Sequence, residues 1–408
     1  MIIQQIINDS KFIKSLIEEC YNEDFNEITN SGISELLNSG GKVNLLLVEK
    51  FYNNETILDS ELLELFHSLN YLDCSKITEL YKRIIELPIY NTLSTDIQYE
   101  INRYEKSLKE IVCGGYHSVG IKENGTIVTW GNNNNGQCDD VPEGKFIQVA
   151  TGIWRSAGIR EDGTVVIWGD CMGDTIQTSD KFKKISCKFY DFIGIREDGT
   201  IYIHGEKIMN CLIHPTIPYD IRYNKFIQID CGMWHFVGIK EDKTVVTFKS
   251  NYKQFENSPS GKFKQIACGK YESVGIREDG TVVTWGNNYY ESPEGKFIQV
   301  ACGVYYFVGI REDGTVVTWG SNNEHQLDNS PEGKFIQIAC GNYHSVGIRD
   351  DVTVVTWGRN EENQYDNSPS GKFIKISCGT YHSAGIREDG TVVTWGNNND
   401  EQYNNSPK

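Results

Sequence analysis

Three observations predict a mainly β chain of short blades set around an axis, behind a small, mainly α-helical N-terminal region. One unit recurs eight times between Cys113 and Gly396, each copy carries a hairpin signal, and residues 1–107 carry neither. A unit repeated at a fixed period is a supersecondary element that cannot bury its apolar face alone and must stack on its neighbours. It runs from a small residue and usually Gly, through an aromatic, a polar residue and Gly-Ile, to an acidic turn and a short run ending at Trp. The cleanest copies are CGNYHSVGIRDDVTVVTWG (340–358) and CGTYHSAGIREDGTVVTWG (378–396). The closing position is held by Trp130, Trp168, His204, Phe248, Trp285, Trp319, Trp357 and Trp395, at spacings of 38, 36, 44, 37, 34, 38 and 38 residues.

Within each unit, Asp-Gly (Asn-Gly in the first) lies between two runs rich in Val, Ile and Thr, as at Asp389-Gly390. That dipeptide suits a turn whose central residues need φ > 0. Lys243 and Val352 replace the Gly in two copies, where the turn should be strained or of another type, and loose. A third strand precedes each hairpin, at Lys145 to Ala150, Lys296 to Ala301 and Lys334 to Ala339 for example. Ser-Pro-Glu-Gly or Ser-Pro-Ser-Gly, from Ser258, Ser292, Ser330 and Ser368, turns the chain into it, and the Asn-rich stretch after Trp-Gly reads as a surface loop. Short antiparallel strands with one aromatic per unit argue for radial blades, seven or eight in number. A linear solenoid is the weaker alternative, because neither terminal unit looks like a polar cap.

The combination of CGxYHS, GIREDG and TVVTWGNN resembles the repeat of the regulator of chromosome condensation (RCC1) family over roughly residues 108–408. The resemblance implies a β-propeller, in that family usually of seven blades, although eight hairpins can be counted here. The short period departs from four-stranded blades and suggests a compact three-stranded variety.

Composition restricts function. The chain has 408 residues, 39% hydrophobic and 12% aromatic, enough for a packed core. Its formal charge is −17, with 9 Lys and Arg against 18 Asp and Glu in residues 1–107 and 30 against 38 beyond. Neither part has the basic excess that nucleic-acid binding requires. The opening MIIQQIINDSKFIKS has no basic start and its apolar residues are interrupted, so no secretory signal is read, and no run approaches a membrane span. A soluble intracellular protein is expected, cytoplasmic or nuclear. Heavy use of Asn, Ile and Tyr is that of an AT-rich coding sequence.

Seven cysteines, Cys113, Cys187, Cys231, Cys268, Cys302, Cys340 and Cys378, fill one slot of the repeat, with Thr151 in the eighth copy. A slot that accepts Thr wants a small buried side chain rather than a disulfide or metal ligand. No zinc-type spacing occurs, and no metal or other cofactor is expected. His117, His235, His344 and His382 also share a slot, with Arg155, Asp191, Glu272 and Tyr306 in the other copies. A catalytic base would not be interchangeable in this way; a histidine bonded to a neighbouring backbone group would be.

The residue just before that slot is aromatic in every copy: Tyr116, Trp154, Tyr190, Trp234, Tyr271, Tyr305, Tyr343 and Tyr381. A propeller would bring all eight to one end of the ring, either as a protein-binding face or wedged between blades as core. The residue before each aromatic runs through Gly115, Ile153, Phe189, Met233, Lys270, Val304, Asn342 and Thr380, the variation of a solvent-exposed recognition site. The eight aromatics, with Arg155 and Lys270 beside them, form the predicted partner-binding set.

Between His204 and Lys225, GEKIMNCLIHPTIPYDIRYN replaces the Asn-rich loop (residues 205–224), either as an apolar contact element or folded back over its blade. In residues 1–107, Ser10 to Tyr21, Ser60 to Leu72 and Ser75 to Leu87 have helical spacing and Val43 to Val48 reads as a strand. Leu62 to Leu87 faintly resembles the closing helices of BTB/Skp1-type domains, which implies dimerisation or recruitment of a cullin ubiquitin ligase. The favoured function is a non-enzymatic module binding a protein partner through one propeller face, with the helical region as anchor or homodimerisation element. No nucleophile motif, phosphate-cradling loop or isolated carboxylate pair is present. The alternatives are a guanine-nucleotide exchange factor for a small GTPase, which the family resemblance implies for one branch, and a BTB-type substrate receptor of a cullin ligase.

Overall fold

The computed structural model describes residues 106–139, 141–169, 177–188, 191–205, 223–249, 258–286, 290–361, 363–364, 368–399, 402 and 406–407. The helices and strand expected in residues 1–107, and the apolar stretch of the 205–224 insertion, lie outside the described residues apart from Lys106, Ser107, Gly205, Tyr223 and Asn224. From Ser107 the chain forms one compact unit.

Its strands group into eight blades of three: 108–131, 146–169, 177–205, 226–249, 263–286, 297–320, 335–358 and 373–396, numbered 1 to 8 below. In blade 6 the inner strand is Phe297–Cys302, the middle Tyr306–Arg311 and the outer Val316–Gly320, paired antiparallel in that order. The others repeat this topology, and blades 2 and 3 are further joined by pairing of outer to inner strand into one six-stranded sheet. Among the described residues the count is therefore eight compact three-stranded blades.

The core lies between blades rather than within them. Val346 and Ile348 of blade 7 pack against Phe373, Ile376 and Trp395 of blade 8, and the same arrangement recurs at the other interfaces. Blade 8 gives Ala384 and Ile386 to blade 1, where Leu108, Ile111, Cys113 and Trp130 receive them, so the ring closes. Hydrogen bonds follow the same path. The indole of Trp395 donates to Thr356 Oγ1 of blade 7 at 3.0 Å, and that of Trp130 to Thr394 Oγ1 across the seam at 3.1 Å. Gln299 clamps the inner strand of blade 7 at Ile338, donating to its carbonyl and accepting from its N–H. Gln148 and Gln265 clamp their next blades in the same manner, and Lys375 donates to the Lys109 carbonyl to complete the circle.

Two features of the repeat gain a cause. The Gly of each Gly-Ile pair faces the side chain that starts the inner strand, a Phe ring in seven blades and Leu108 in the first: a Cβ on Gly309 would stand 2.7 Å from Phe297 Cδ1. In each acidic turn, the Asp or Asn side chain accepts from both the N–H and the hydroxyl of the Thr two residues on, as Asp389 does from Thr391 at 2.9 and 2.7 Å. Lys243 and Val352 were expected to strain their turns or change their type, and to loosen them. Both adopt the left-handed conformation, at φ 69° and 62°, which is the strain expected, but they keep the turn hydrogen bond at 2.8 and 2.9 Å, so the turn neither changes type nor loosens. Asp351 holds Thr353 there as firmly as its counterparts do, and the β-branched Val is forced into the shape its neighbours dictate.

Two stability changes follow. Gly309→Ala should lower the denaturant-unfolding free energy by about 1–3 kcal/mol, since neither the Phe297 ring nor the Trp319 ring behind it has room to yield. Val352→Gly should raise it by about 1 kcal/mol, with the left-handed strain removed and the slope of unfolding against denaturant unchanged.

Candidate functional site: the aromatic end of the ring

In every blade but the third, the inner strand ends at the Cys slot, turns through a Gly and delivers its aromatic to the same end of the ring. The turn is set by backbone contact between blades. A Cβ on Gly269 would lie 2.1 Å from the Gly303 carbonyl oxygen, one on Gly341 2.1 Å from that of Gly379, and one on Gly379 2.4 Å from that of Gly114. Gly115 N–H donates to the Gly152 carbonyl at 3.0 Å and Val304 N–H to that of Asn342 at 2.9 Å. Around this glycine collar Cys113, Cys187, Cys231, Cys268 and Cys302 are buried and Cys340 and Cys378 partly so, which fits the packing role expected of them. Burial pushes the Cys113 and Cys340 thiols up to about 11, so neither is a ready thiolate.

The histidine slot is completely buried between blades. His117 Nε2 pairs with Ser156 Oγ at 2.7 Å, His235 with Ser273 at 2.6 Å, His344 with Ser383 at 3.0 Å, and His382 with Ser118 across the seam at 2.9 Å. The Nε2 partner is thus a serine hydroxyl of the next blade; of the backbone bonds expected, His117 has one, with Ile153. Where Tyr306 takes the slot, its hydroxyl still meets Ser345, at 3.0 Å, and donates to the His344 carbonyl at 2.6 Å. Burial holds His117 down to about 4 and His344 and His382 to about 3.

Above the collar stand the aromatics. All seven described ones, Tyr116, Trp154, Trp234, Tyr271, Tyr305, Tyr343 and Tyr381, are half-buried: neither entombed as core nor free in solvent. Tyr190 lies outside the described residues. Tyr116 stacks on Trp154 at 4.6 Å between ring centres and meets Tyr381 at 6.1 Å, while Tyr271 stacks on Tyr305 at 5.7 Å. Tyr305 makes its stack from a left-handed backbone, φ 64°. Lys270 lies 5.3 Å over the Tyr271 ring, and Arg359 5.3 Å over that of Tyr343 while pairing with Glu324 and Glu361 at 2.7 and 2.6 Å. Burial, with the neighbouring phenols, raises the Tyr305 and Tyr343 hydroxyls, so both are neutral donors at ordinary pH.

Three expectations change. Arg155 is 2% exposed in the interblade slot and cannot touch a partner on the face. The described variable residues are not solvent-exposed: Gly115 and Val304 are buried, and Ile153, Met233, Lys270, Asn342 and Thr380 half-buried, while Phe189 lies outside the described residues. Most of them line a cavity of about 330 Å³ at the mouth of the central channel, and they vary because the channel leaves room for side chains of any size. The Asn-rich loops are not simple surface either. Gln137, Gln326, Gln364 and Gln402 are fully buried, with Gln137 giving its carbonyl to the Trp168 indole at 3.2 Å and Gln326 donating to the Val304 carbonyl at 3.3 Å. A Gln seven positions past Trp130, Trp319, Trp357 and Trp395 was the available signal.

Five stretches, 108–137, 263–291, 297–326, 335–364 and 373–402, match the Regulator of chromosome condensation (RCC1) repeat, in blades 1 and 5 to 8. The chain thus carries RCC1 repeats in a β-propeller. No curated protein sequence matches it. Among solved structures it is similar to the CRINKLY WD40 ectodomain of the Arabidopsis thaliana receptor kinase ACR4, at 18% identity and a TM-score of 0.48, covering 62% of this chain and 96% of that one. It is also similar to Prp20p of Saccharomyces cerevisiae, whose binding to Gsp1p and histones was described with its structure (17%, TM-score 0.47, 69% and 83%). Human WBSCR16 is a third (14%, TM-score 0.46, 65% and 90%). Among the described residues no helix is long and apolar enough to cross a membrane.

The histidine slot makes this end acid-sensitive. With folded values near 3–4 against about 6.5 unfolded, the unfolded chain binds more protons, so stability is complete above pH 6.5 and falls as the pH drops. Each of the three histidines removes about 1.4 kcal/mol per pH unit in that window. Thermal unfolding followed between pH 7 and 5 should show a steep drop in midpoint, reduced in His344→Gln and His382→Gln, which cannot titrate.

Proposed function

We propose that the chain is a non-enzymatic binding module that holds a protein partner against the aromatic end of its propeller. The supporting observation is the row of half-buried Tyr and Trp rings braced on one another above the glycine collar. Such rings offer large contact area with a polar tip, and being pre-stacked they lose little freedom when a partner covers them. The RCC1 repeats agree with this reading, since the fold serves as a binding scaffold. Trp154, Trp234, Tyr271, Tyr305, Tyr343, Tyr381 and Tyr116 are the contact residues assigned, with Lys270 beside them; Arg155 acts between the blades.

Affinity capture with the wild type and with Trp154→Ala/Trp234→Ala tests this. Truncation of large aromatics at a contact centre costs about 2 kcal/mol or more each, so the double variant should lose most of the recovered partner. Equal recovery by both would overturn the aromatic face, and accelerated GDP release from a recovered GTPase would replace plain binding by exchange.

A further inference from the structure

Seven of the eight blades carry Gly after the Cys-slot residue: Gly114, Gly152, Gly232, Gly269, Gly303, Gly341 and Gly379. Blade 3 has Lys188. Where backbones of adjacent blades approach this closely, a side chain is accommodated only by pointing away from the collar, and that of Lys188 runs into the channel mouth. It passes blade 4 and its ammonium donates to the Cys268 carbonyl of blade 5. Lys188 and Lys270 both line the 330 Å³ cavity, and they are its charged lining residues. In a chain of net charge −17 the mouth is thus a basic spot with no carboxylate in its wall.

One buried acid lies behind this wall and is coupled to it. Asp230 accepts from the Ser186 hydroxyl at 2.9 Å, Cys231 N–H at 2.9 Å and Cys268 N–H at 2.7 Å, burial raises its carboxyl, and the Lys188 ammonium pulls it back towards the charged form. Lys188 has three donor positions, and one is engaged by Cys268. Lys270, held over the Tyr271 ring, places a second ammonium at the same opening. Beneath the aromatic arc, the cavity has room for one or two side chains from a peptide lying on the face, and its charge selects their type.

We propose that the channel mouth is a carboxylate pocket, in which Lys188 and Lys270 receive a Glu or Asp side chain of the peptide segment that the aromatic arc holds. This rests on the aromatic-face reading and names the chemistry of its partner. The arc supplies apolar contact and the lysines, partly withdrawn from water, choose an acidic segment over a neutral or basic one.

The test uses the full chain and fluorescein-labelled hexaglutamate, followed by fluorescence anisotropy at about 50 mM salt, where screening is weak. Lys188→Gly/Lys270→Met restores the residues that blades 4 to 8 and blade 4 carry at these positions, so the ring should stay folded, with an unchanged thermal midpoint. The wild type should bind hexaglutamate but not hexaglutamine, and the lysine variant should bind at least about tenfold more weakly. Equal binding of both peptides, or unchanged affinity in the lysine variant, would overturn the pocket. Competition by free glutamate at equal concentration would also overturn it, as a site for small anions. Loss of hexaglutamate binding in Trp154→Ala/Trp234→Ala with full binding by the lysine variant would sink the pocket while leaving the aromatic face standing.

Discussion

The constraint on which this structure depends is that no blade owns its core. The middle strand of each blade supplies two buried aliphatic residues, and the inner strand and closing aromatic of the next blade cover them. A chain built in this way has no stable end until the last interface meets the first. At the seam every class of contact is repeated: Ala384 and Ile386 on Leu108 and Ile111, the Trp130 indole on Thr394, the His382 imidazole on Ser118, and Lys375 on the Lys109 carbonyl. Closure by so many separate contacts covers the apolar blade faces that a solenoid would leave exposed at its two ends.

Closure also creates the functional end. Because inner strands must approach at the axis, the residue after the Cys slot is squeezed to Gly, and the next two positions are thrown outwards at the channel mouth and the rim. The collar is rigid where the backbone touches itself, and tolerant one residue later, where side chains face open space. This explains why a position running from Gly to Lys adjoins one that is aromatic in every copy. Tyr116 is bounded on both sides by the rings of Trp154 and Tyr381, and Tyr271 and Tyr305 brace each other, whereas the variable residue has no fixed volume to fill.

The repeat made the fold readable from sequence, because period, hairpin dipeptide and closing Trp all record local geometry. Strand order needed nothing further, nor did the hairpin turns that keep their Gly. What sequence could not supply were relations between blades. The histidine looked like a partner for backbone because the copy that contains it shows no acceptor nearby; Ser156, Ser273, Ser383 and Ser118 belong to the following blade. Arg155 looked like a candidate for the face because it adjoins Trp154, but strand alternation turns it into the interface. The buried glutamines were hidden in stretches whose composition reads as loop, since polarity of a segment says little about one side chain folded back under it.

Departures from the repeat carry different information from the repeat itself. Val352 departs at a turn and the turn keeps its shape, because Asp351, Thr353 and the strands on either side over-determine it. Tyr306 departs at the histidine slot and recovers the same bond with a longer arm. Both substitutions are absorbed by the surroundings. Lys188 is different: the collar gives a side chain no place to hide, so the substitution is expressed in the channel as a charge. A position where geometry demands Gly and a long cation is tolerated is one where the cation has somewhere to go, and in this ring that place opens onto the aromatic end.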